Sequence, residues 1–435
     1  MKTSIQFRSE QGSVLVTVLT MVVVLLIISG SILETVSQEY KLSKRSLAWN
    51  QSLSTAETGV ELGWNELNKL TAINSNGVFH VGGGIWTESP VGVFTSTVQT
   101  MTPTVGSEFA TTYQVVLNTN TWTITSKGTA NSAMMNGKPV SRTVVVAVNP
   151  VTPFEWAMLA KGQITFSGTN PTVDSWNSVQ NGAYNESTNR RSNGTIGSNG
   201  VLIEAAGSEI YGSVMTGPGG VVTTSPGFNQ YSDSSTRNGT NTITDGLEVY
   251  IPDVSAPWVY GSSGVTVLAD NVAQTINVTG GGTVQYEMDN VTKDVTFTGT
   301  GTIVLYINSA SQTGNDDLII TPASTGSLKI IIFSNGDAKF TGNSGINPPP
   351  GTPQDLLIYG LNGCTKVDIG GNSATSAAIY APHAAVDVGG TADYFGSVVG
   401  SSIKVNGSVN FHYDESMDTA GKILGFALVS WRESQ

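Results

Sequence analysis

Residues 13–33 form an unbroken run without one charged side chain, and Arg8, Glu10, Gln11 and Gly12 stand directly before it. A run of that length crosses a bilayer as a helix, since roughly 20 apolar residues span the hydrocarbon core. It reads poorly as a removable secretory signal: such h-regions have about 7 to 15 residues, and no small-x-small cleavage box follows here. Instead Ser29, Gly30 and Ser31 lead into Glu34, and helical spacing continues. Leu42, Trp49, Leu53, Ala56, Val60, Trp64, Leu67 and Leu70 fall on one face, while Lys41, Lys44, Arg45, Glu57, Glu61 and Glu66 fall mostly elsewhere. The pattern predicts one helix over residues 13–70, on the order of 85 Å long at 1.5 Å per residue. Its first half suits lipid, and its second half needs a soluble partner surface. Trp49 and Trp64 are expected on that packed face. Charges flank the run on both sides (Lys2 and Arg8 before it, Lys41, Lys44 and Arg45 after it), so they do not orient it.

The texture changes beyond residue 70. Tyr113 to Leu117, Thr121 to Ser126 and Thr143 to Val148 are alternating or β-branched runs between Asn- and Gly-containing turns, which predicts a small antiparallel sheet within 71–150. Asn149-Pro150 and Pro153 mark its end. A net charge of −12 argues against nucleic acid as a partner, because that needs a basic face. The single cysteine, Cys364, excludes a disulfide within the chain, so packing and backbone ladders must supply the stability.

Internal repeats come next. Lys366-Val367-Asp368-Ile369-Gly370-Gly371 returns as Ala385-Val386-Asp387-Val388-Gly389-Gly390, and more weakly as Lys404-Val405-Asn406-Gly407. Ile358-Tyr359-Gly360, Ile379-Tyr380-Ala381 and Val398-Val399-Gly400 repeat alongside, with a two-residue length difference in one loop. Ile331 to Phe333, Lys339 to Gly342, Gln163 to Gly168 and Val201 to Val214 share the texture. A period near 20 with glycine corners is the pattern of a parallel β-helix, or β-solenoid, expected over 151–420; a sandwich of short strands is the rival. Residues 216–257, rich in Ser, Thr, Asn, Gly and Pro, read as a long surface insertion, and 421–435 as a separate C-terminal segment. The fold class is thus α+β: a long helix, a small sheet, then a mainly β domain.

Candidate chemistry is sparse. Asp368, Asp387 and Asn406 recur 19 residues apart, so stacked coils would set them about 4.8 Å apart on one outward face. Two carboxylates that close repel unless a cation such as Ca²⁺ lies between them; the plainer reading is a solvated face. No other cofactor or metal is expected. Lys366 and Lys404 beside these acids keep open a membrane-tethered β-helix polysaccharide lyase or hydrolase, which needs clustered acids and a base. His80, His383 and His412 lack metal-site spacing and suit loop or packing roles. Asp174-Ser175-Trp176 shows no histidine partner for a serine triad, and Gly82-Gly83-Gly84 and Gly280-Gly281-Gly282 lack the Lys-Ser/Thr of a phosphate loop. Loop aromatics (Trp176, Tyr184, Tyr231, Trp258, Tyr260) suit either packing or stacking on surface glycans.

Gln11-Gly12-Ser13-Val14-Leu15-Val16, the apolar helix after it, and Ser54-Thr55-Ala56-Glu57-Thr58-Gly59-Val60 resemble the N-terminal region of PilX-type minor pilins, near in pattern to GspK-type minor pseudopilins. Phe411-His412-Tyr413-Asp414-Glu415 closes a β-rich half similar to the extension of some PilX-type proteins. The resemblance implies a leader over 1–12, cut by a prepilin peptidase between Gly12 and Ser13. It further implies an assembly helix running from Val14 past Leu33, and other minor and major pilins as partners. The chain would then sit in a bacterial inner membrane as a single pass, N-terminus cytoplasmic, before reaching a surface pilus. It would serve as a non-enzymatic subunit for adhesion or assembly. Ordinary pilins carry Glu at the fifth mature position, where this chain has Thr17. Loss of that intramembrane carboxylate removes a subunit contact and implies a place at or near the fibre tip.

Overall fold

The computed structural model describes residues 11–71, 85–89, 93–101, 109–131, 138–237, 239–314, 316, 318–322, 327–342, 346–347, 352–372, 374–419 and 425–434. Residues 1–10 of the expected leader, with Lys2 and Arg8, as well as His80 and the glycines 82–84 lie outside them. The chain divides into two compact units, one of 1–69, 80–149 and 427–435, the other of 70–79 and 150–426.

In the first unit, helix α1 (Gln11–Thr71) is continuous. Its first half is exposed: Val14 is 64% exposed and Leu33 70%. Hydroxyls in the apolar stretch bond back to their own helix, Thr20 to the Val16 and Thr17 carbonyls and Thr35 to that of Ser31, which leaves them paired without water. The second half packs on a sheet of β1 (Trp86–Glu88), β2 (Val93–Ser96), β3 (Gln99–Met101), β4 (Ala110–Asn118), β5 (Thr123–Asn131) and β6 (Val140–Val151). The order is β1-β2-β4-β5-β6, with β3 also on β4, all antiparallel; the strand Gly425–Ser434 joins beyond β6. Residues 425–434 are therefore part of this sheet rather than a separate segment. Alternation places Val115, Leu117, Ile124, Val144, Val146 and Val148 in the core.

The helix face that packs is the expected one only in its lower part, where Ala56, Val60 and Leu67 are buried; its upper large side chains are not. Leu42 is 68% exposed and Trp49 44%, with the Arg142 guanidinium lying 4.7 Å over the Trp49 ring. The buried stripe is instead small: Ala48, Ser52, Thr55 and Ala56, with Val60 and Leu67 below. The reason is close approach. A Cβ on Gly59 would stand 2.1 Å from Ser126 Oγ, and one on Gly63 2.6 Å from Ile124 Cγ2. From the sheet side, a Cβ on Gly128 would meet the Ser52 carbonyl oxygen at 2.1 Å and the Ala56 nitrogen at 2.4 Å.

The second unit is mainly β, and among the described residues every ladder in it is parallel apart from one isolated antiparallel bridge, Ser175 to Arg191. Following Cα partners through one face gives a single column: Ile243, Val214, Ile196, Met158, Val398, Ile379, Ile358, Ile332, Leu305, Tyr286, Thr266. All members from Val214 to Leu305 are at most 1% exposed, while Ile243 at one end is 45% exposed. The offset is 19 residues from Tyr286 to Leu305 and from Ile379 to Val398, 18 from Ile196 to Val214, and longer at the other steps between chain-adjacent strands, where loops leave the stack; this is why the repeat fades upstream.

The column also shows the winding order. The chain enters in the middle at Met158, winds outward to Ile243, then passes to the far end at Thr266 and winds back until Val398 pairs with Met158. Residues 216–257 are therefore not wholly an insertion. Their first part supplies paired strands Val221–Thr223, Asn229–Gln230 and Ile243–Thr244. Residues 245–265 form a strap along the stack. It is tied in turn by Leu247 N–H to the Thr216 carbonyl (2.8 Å), by Asn199, which both donates to and accepts from the Val249 backbone (2.6 and 2.9 Å), and by Tyr380 Oη donating to the Pro252 carbonyl (2.7 Å).

At its far end the strap meets Glu287, which is fully buried and accepts from Trp258 Nε1 at 2.5 Å and from Gly261 N–H at 2.9 Å. Glu287→Ala leaves two donors without their acceptor, at a cost of about 1–3 kcal/mol. We expect faster limited proteolysis within 245–265 and a lower denaturation midpoint, while Glu287→Gln, which keeps an acceptor, shows a smaller effect.

Candidate functional site

Two features carry the chemistry foreseen from the residues: the apolar half of α1 and the acidic ladder. Gly12 and Ser13 lie in helical backbone at the start of α1, followed by Val14, Thr17 and Leu33 along it. The stretch from Val14 onward is long and apolar enough to cross a membrane, and none of its most apolar window is buried within the protein. Such a surface has a large free energy of transfer out of water, about 25 cal/mol per Å².

The ladder differs from its expected form. Asp368 and Asp387 are register partners on neighbouring coils. Asn406 is not the next member; Lys404 takes that place opposite Asp387, and Val405 pairs with Val388. The corner after Gly400 is two residues shorter than that after Ala381, so the offset falls from 19 to 17 and Asn406 moves beside Gly389, whose added Cβ would meet Asn406 Oδ1 at 2.4 Å. On the other side Lys339 is the partner of Asp368. The two carboxylates are thus bracketed by lysines in register.

A third lysine lies across them: Lys366 Nζ is 2.7 Å from Asp368 Oδ1 and 3.6 Å from Asp387 Oδ2. The hydrogen bond to Asp368 and the charges of both acids raise the Lys366 pKa. An ammonium therefore stands where a bridging Ca²⁺ would stand, and it is held protonated rather than poised as a base. Among the described residues no group of three or more His, Cys, Asp or Glu side chains has the arrangement of a metal site.

Asp174 does meet a histidine. His412 Nδ1 is 2.6 Å from Asp174 Oδ1, brought there by pairing of Thr172–Trp176 with Phe411–Asp414. Ser175 is not its nucleophile, since its hydroxyl donates to Glu415 Oε1 at 2.9 Å. No local motif announces this contact, because its partners are 238 residues apart. The faint signal was the isolated ionisable cluster His412-Tyr413-Asp414-Glu415 in a charge-poor chain. His383 lies at the surface and bonds Asp253 of the strap at 2.7 Å. The loop aromatics pack: Trp176 is 3% exposed, Tyr184 lies against Trp176, Phe395 and His412, Tyr231 stacks on Tyr211, and Trp258 and Tyr260 both lie edge-on to Tyr306.

A family described as a domain of unknown function, DUF7305, matches residues 260–420, less than half of the chain. That span coincides with the return winding, from the strap's far end to the strand that closes on the first coil. No curated protein matches the chain. Among solved structures, the competence-associated pilin ComZ from Thermus thermophilus is similar over 89% of this chain and 97% of its own, at 9% identity and a TM-score of 0.29. So weak a likeness decides nothing about the role of this chain.

Proposed function

We propose that the chain is a pilin-type subunit of the PilX class, anchored in the inner membrane by Val14 to Leu33 and then drawn into a type IV pilus-like fibre. The observation that carries this reading is the two-part helix. One continuous α1 presents a wholly exposed apolar half and buries its other half, through Gly59 and Gly63, on an antiparallel sheet. Lipid and the apolar helices of neighbouring subunits are the two surroundings that satisfy such a half-helix. The segment 54–60, one of those bearing the resemblance, holds Ala56 and Gly59, two of the positions at which the helix lies close on the sheet. The prepilin peptidase would act after Gly12.

In this reading the parallel coils form a β-solenoid displayed outward for adhesion or assembly, and the role is structural rather than catalytic. The ion-paired state of Lys366 supports that choice over a lyase, which needs a free base. Thr17 in place of a carboxylate favours the end of the fibre over its shaft. Labelling the solenoid and locating the label on purified fibres by cryo-EM tests the placement. Label confined to fibre ends is the expected result; label spaced along the shaft refutes tip placement, and absence from fibres refutes assembly.

A further inference from the structure

The stack of parallel coils is closed at one place only by segments that meet late in the chain. There the first coil, with Thr172–Trp176, receives the last, with Phe411–Asp414, along the register Phe411 to Val173, His412 to Asp174, Tyr413 to Ser175 and Asp414 to Trp176. Most neighbouring coils are joined directly by the chain; here the link runs around both ends of the stack. Beside the apolar Val173 and Phe411, this joint buries the polar Asp174, Ser175, His412 and Asp414, unlike the aliphatic column next to it.

We infer that His412, held between Asp174 and Asp393, is an ionic latch that fastens the return winding onto the first coil and releases it at alkaline pH. Three elements face the imidazole. From the first coil, Asp174 is 1% exposed and accepts from Nδ1 at 2.6 Å. From the loop after it, the Tyr184 ring lies 3.9 Å away, centroid to centroid, and Tyr184 Oη donates to the other Asp174 oxygen. From the turn ahead of strand Tyr394–Val405, Asp393 Oδ2 stands 3.9 Å from Nε2, with the Phe395 ring 4.9 Å from the imidazole. Nearby cations are otherwise engaged: Arg191 pairs with Glu415 at 3.0 Å, Arg237 with Asp418 at 2.7 Å, and Arg190 with Glu186 at 2.7 Å. Asp414, on the same strand as His412, accepts through Oδ1 from Ser178 N–H, Ser416 N–H and the Ser416 hydroxyl.

With both ring nitrogens directed at carboxylates, the imidazolium satisfies both contacts and the neutral ring only one. Burial opposes the charge, but Asp174 and Asp393 overcome it and lift His412 from 6.5 to about 8. In turn His412 holds the Asp393 carboxyl below its ordinary value of 3.8. The stabilisation from His412 is therefore complete below 6.5 and disappears as pH rises through about 8. The contribution from Asp393 is present above 3.8 and lost in stronger acid.

The test is hydrogen exchange on the full chain in detergent micelles from pH 6 to 10, with labelling times scaled to the intrinsic rate. Protection in Thr172–Trp176 and Phe411–Asp414 should fall by up to about thirtyfold, the ratio set by a shift from 6.5 to about 8, while Leu328–Ser334 stays unchanged. Asp393→Asn, on a side chain 44% exposed, should fold normally and move the midpoint down by about one pH unit. Constant protection at the joint, an equal loss in Leu328–Ser334, or a midpoint unmoved by Asp393→Asn overturns the latch. None of these outcomes depends on whether α1 enters a fibre.

Discussion

Gly12→Val should leave the N-terminal leader uncut, so that intact-mass analysis shows one species still carrying residues 1–12. The effect is expected to be all-or-none. Val adds a branched side chain where the resemblance places the scissile bond, and a peptidase that must bring extended backbone close has no room for it. Consequences downstream should track the helix. The uncut protein keeps Lys2 and Arg8 attached ahead of the apolar run, remains in the membrane fraction through Val14 to Leu33, and is missing from sheared fibres. Normal cutting of the variant removes the processing role of Gly12.

The second large effect is expected at Gly128. Its missing Cβ is what lets β5 lie directly on the helix backbone at Ser52 and Ala56, with separations of 2.1 and 2.4 Å to any added carbon. Backbone cannot rotate away as a side chain would, so Gly128→Val must push α1 off the sheet or distort the strand. Overpacking of this kind costs about 1–3 kcal/mol and sometimes more. Denaturant melts should show it as a lower midpoint for the sheet-bearing unit, with Gly59→Ala milder because the groups it meets are side-chain atoms, nearest the rotatable Ser126 hydroxyl, rather than backbone. An unchanged midpoint in Gly128→Val would mean that helix and sheet do not pack as closely as described.

How much of this was legible from the residues differs by element. The helix was legible because an uncharged run and a helical period are local signals. Its packed face was legible in part: Ala56, Val60 and Leu67 are buried as their spacing predicts, while Leu42 and Trp49 are not, because large apolar residues mark a face only when the partner stays at ordinary distance. Here contact is so close that Ala48, Ser52 and Gly59 mark it, while Trp49 lies outside under Arg142. Parallel pairing of Asp368 with Asp387 could be inferred from a constant offset of 19, and the same inference failed at Asn406 because one corner lost two residues. The meeting of Asp174 and His412 was out of reach. Nothing in the period says that the first coil lies in the middle of the stack, since that depends on where the strap leads.

That mid-stack entry has a consequence for how the protein is made. The face of the first coil that carries Met158, Ile164 and Val173 stays open until Val398, Ile403 and Phe411 have been synthesised. Until then the cell holds a chain with an unpaired row of backbone donors and acceptors beside bare aliphatic side chains, a template for any other extended strand. Closure over so long a sequence separation is slow in folding terms. The early half must therefore be guarded against premature partners while the rest is made, and a stop codon shortly before residue 394 would leave that half permanently open.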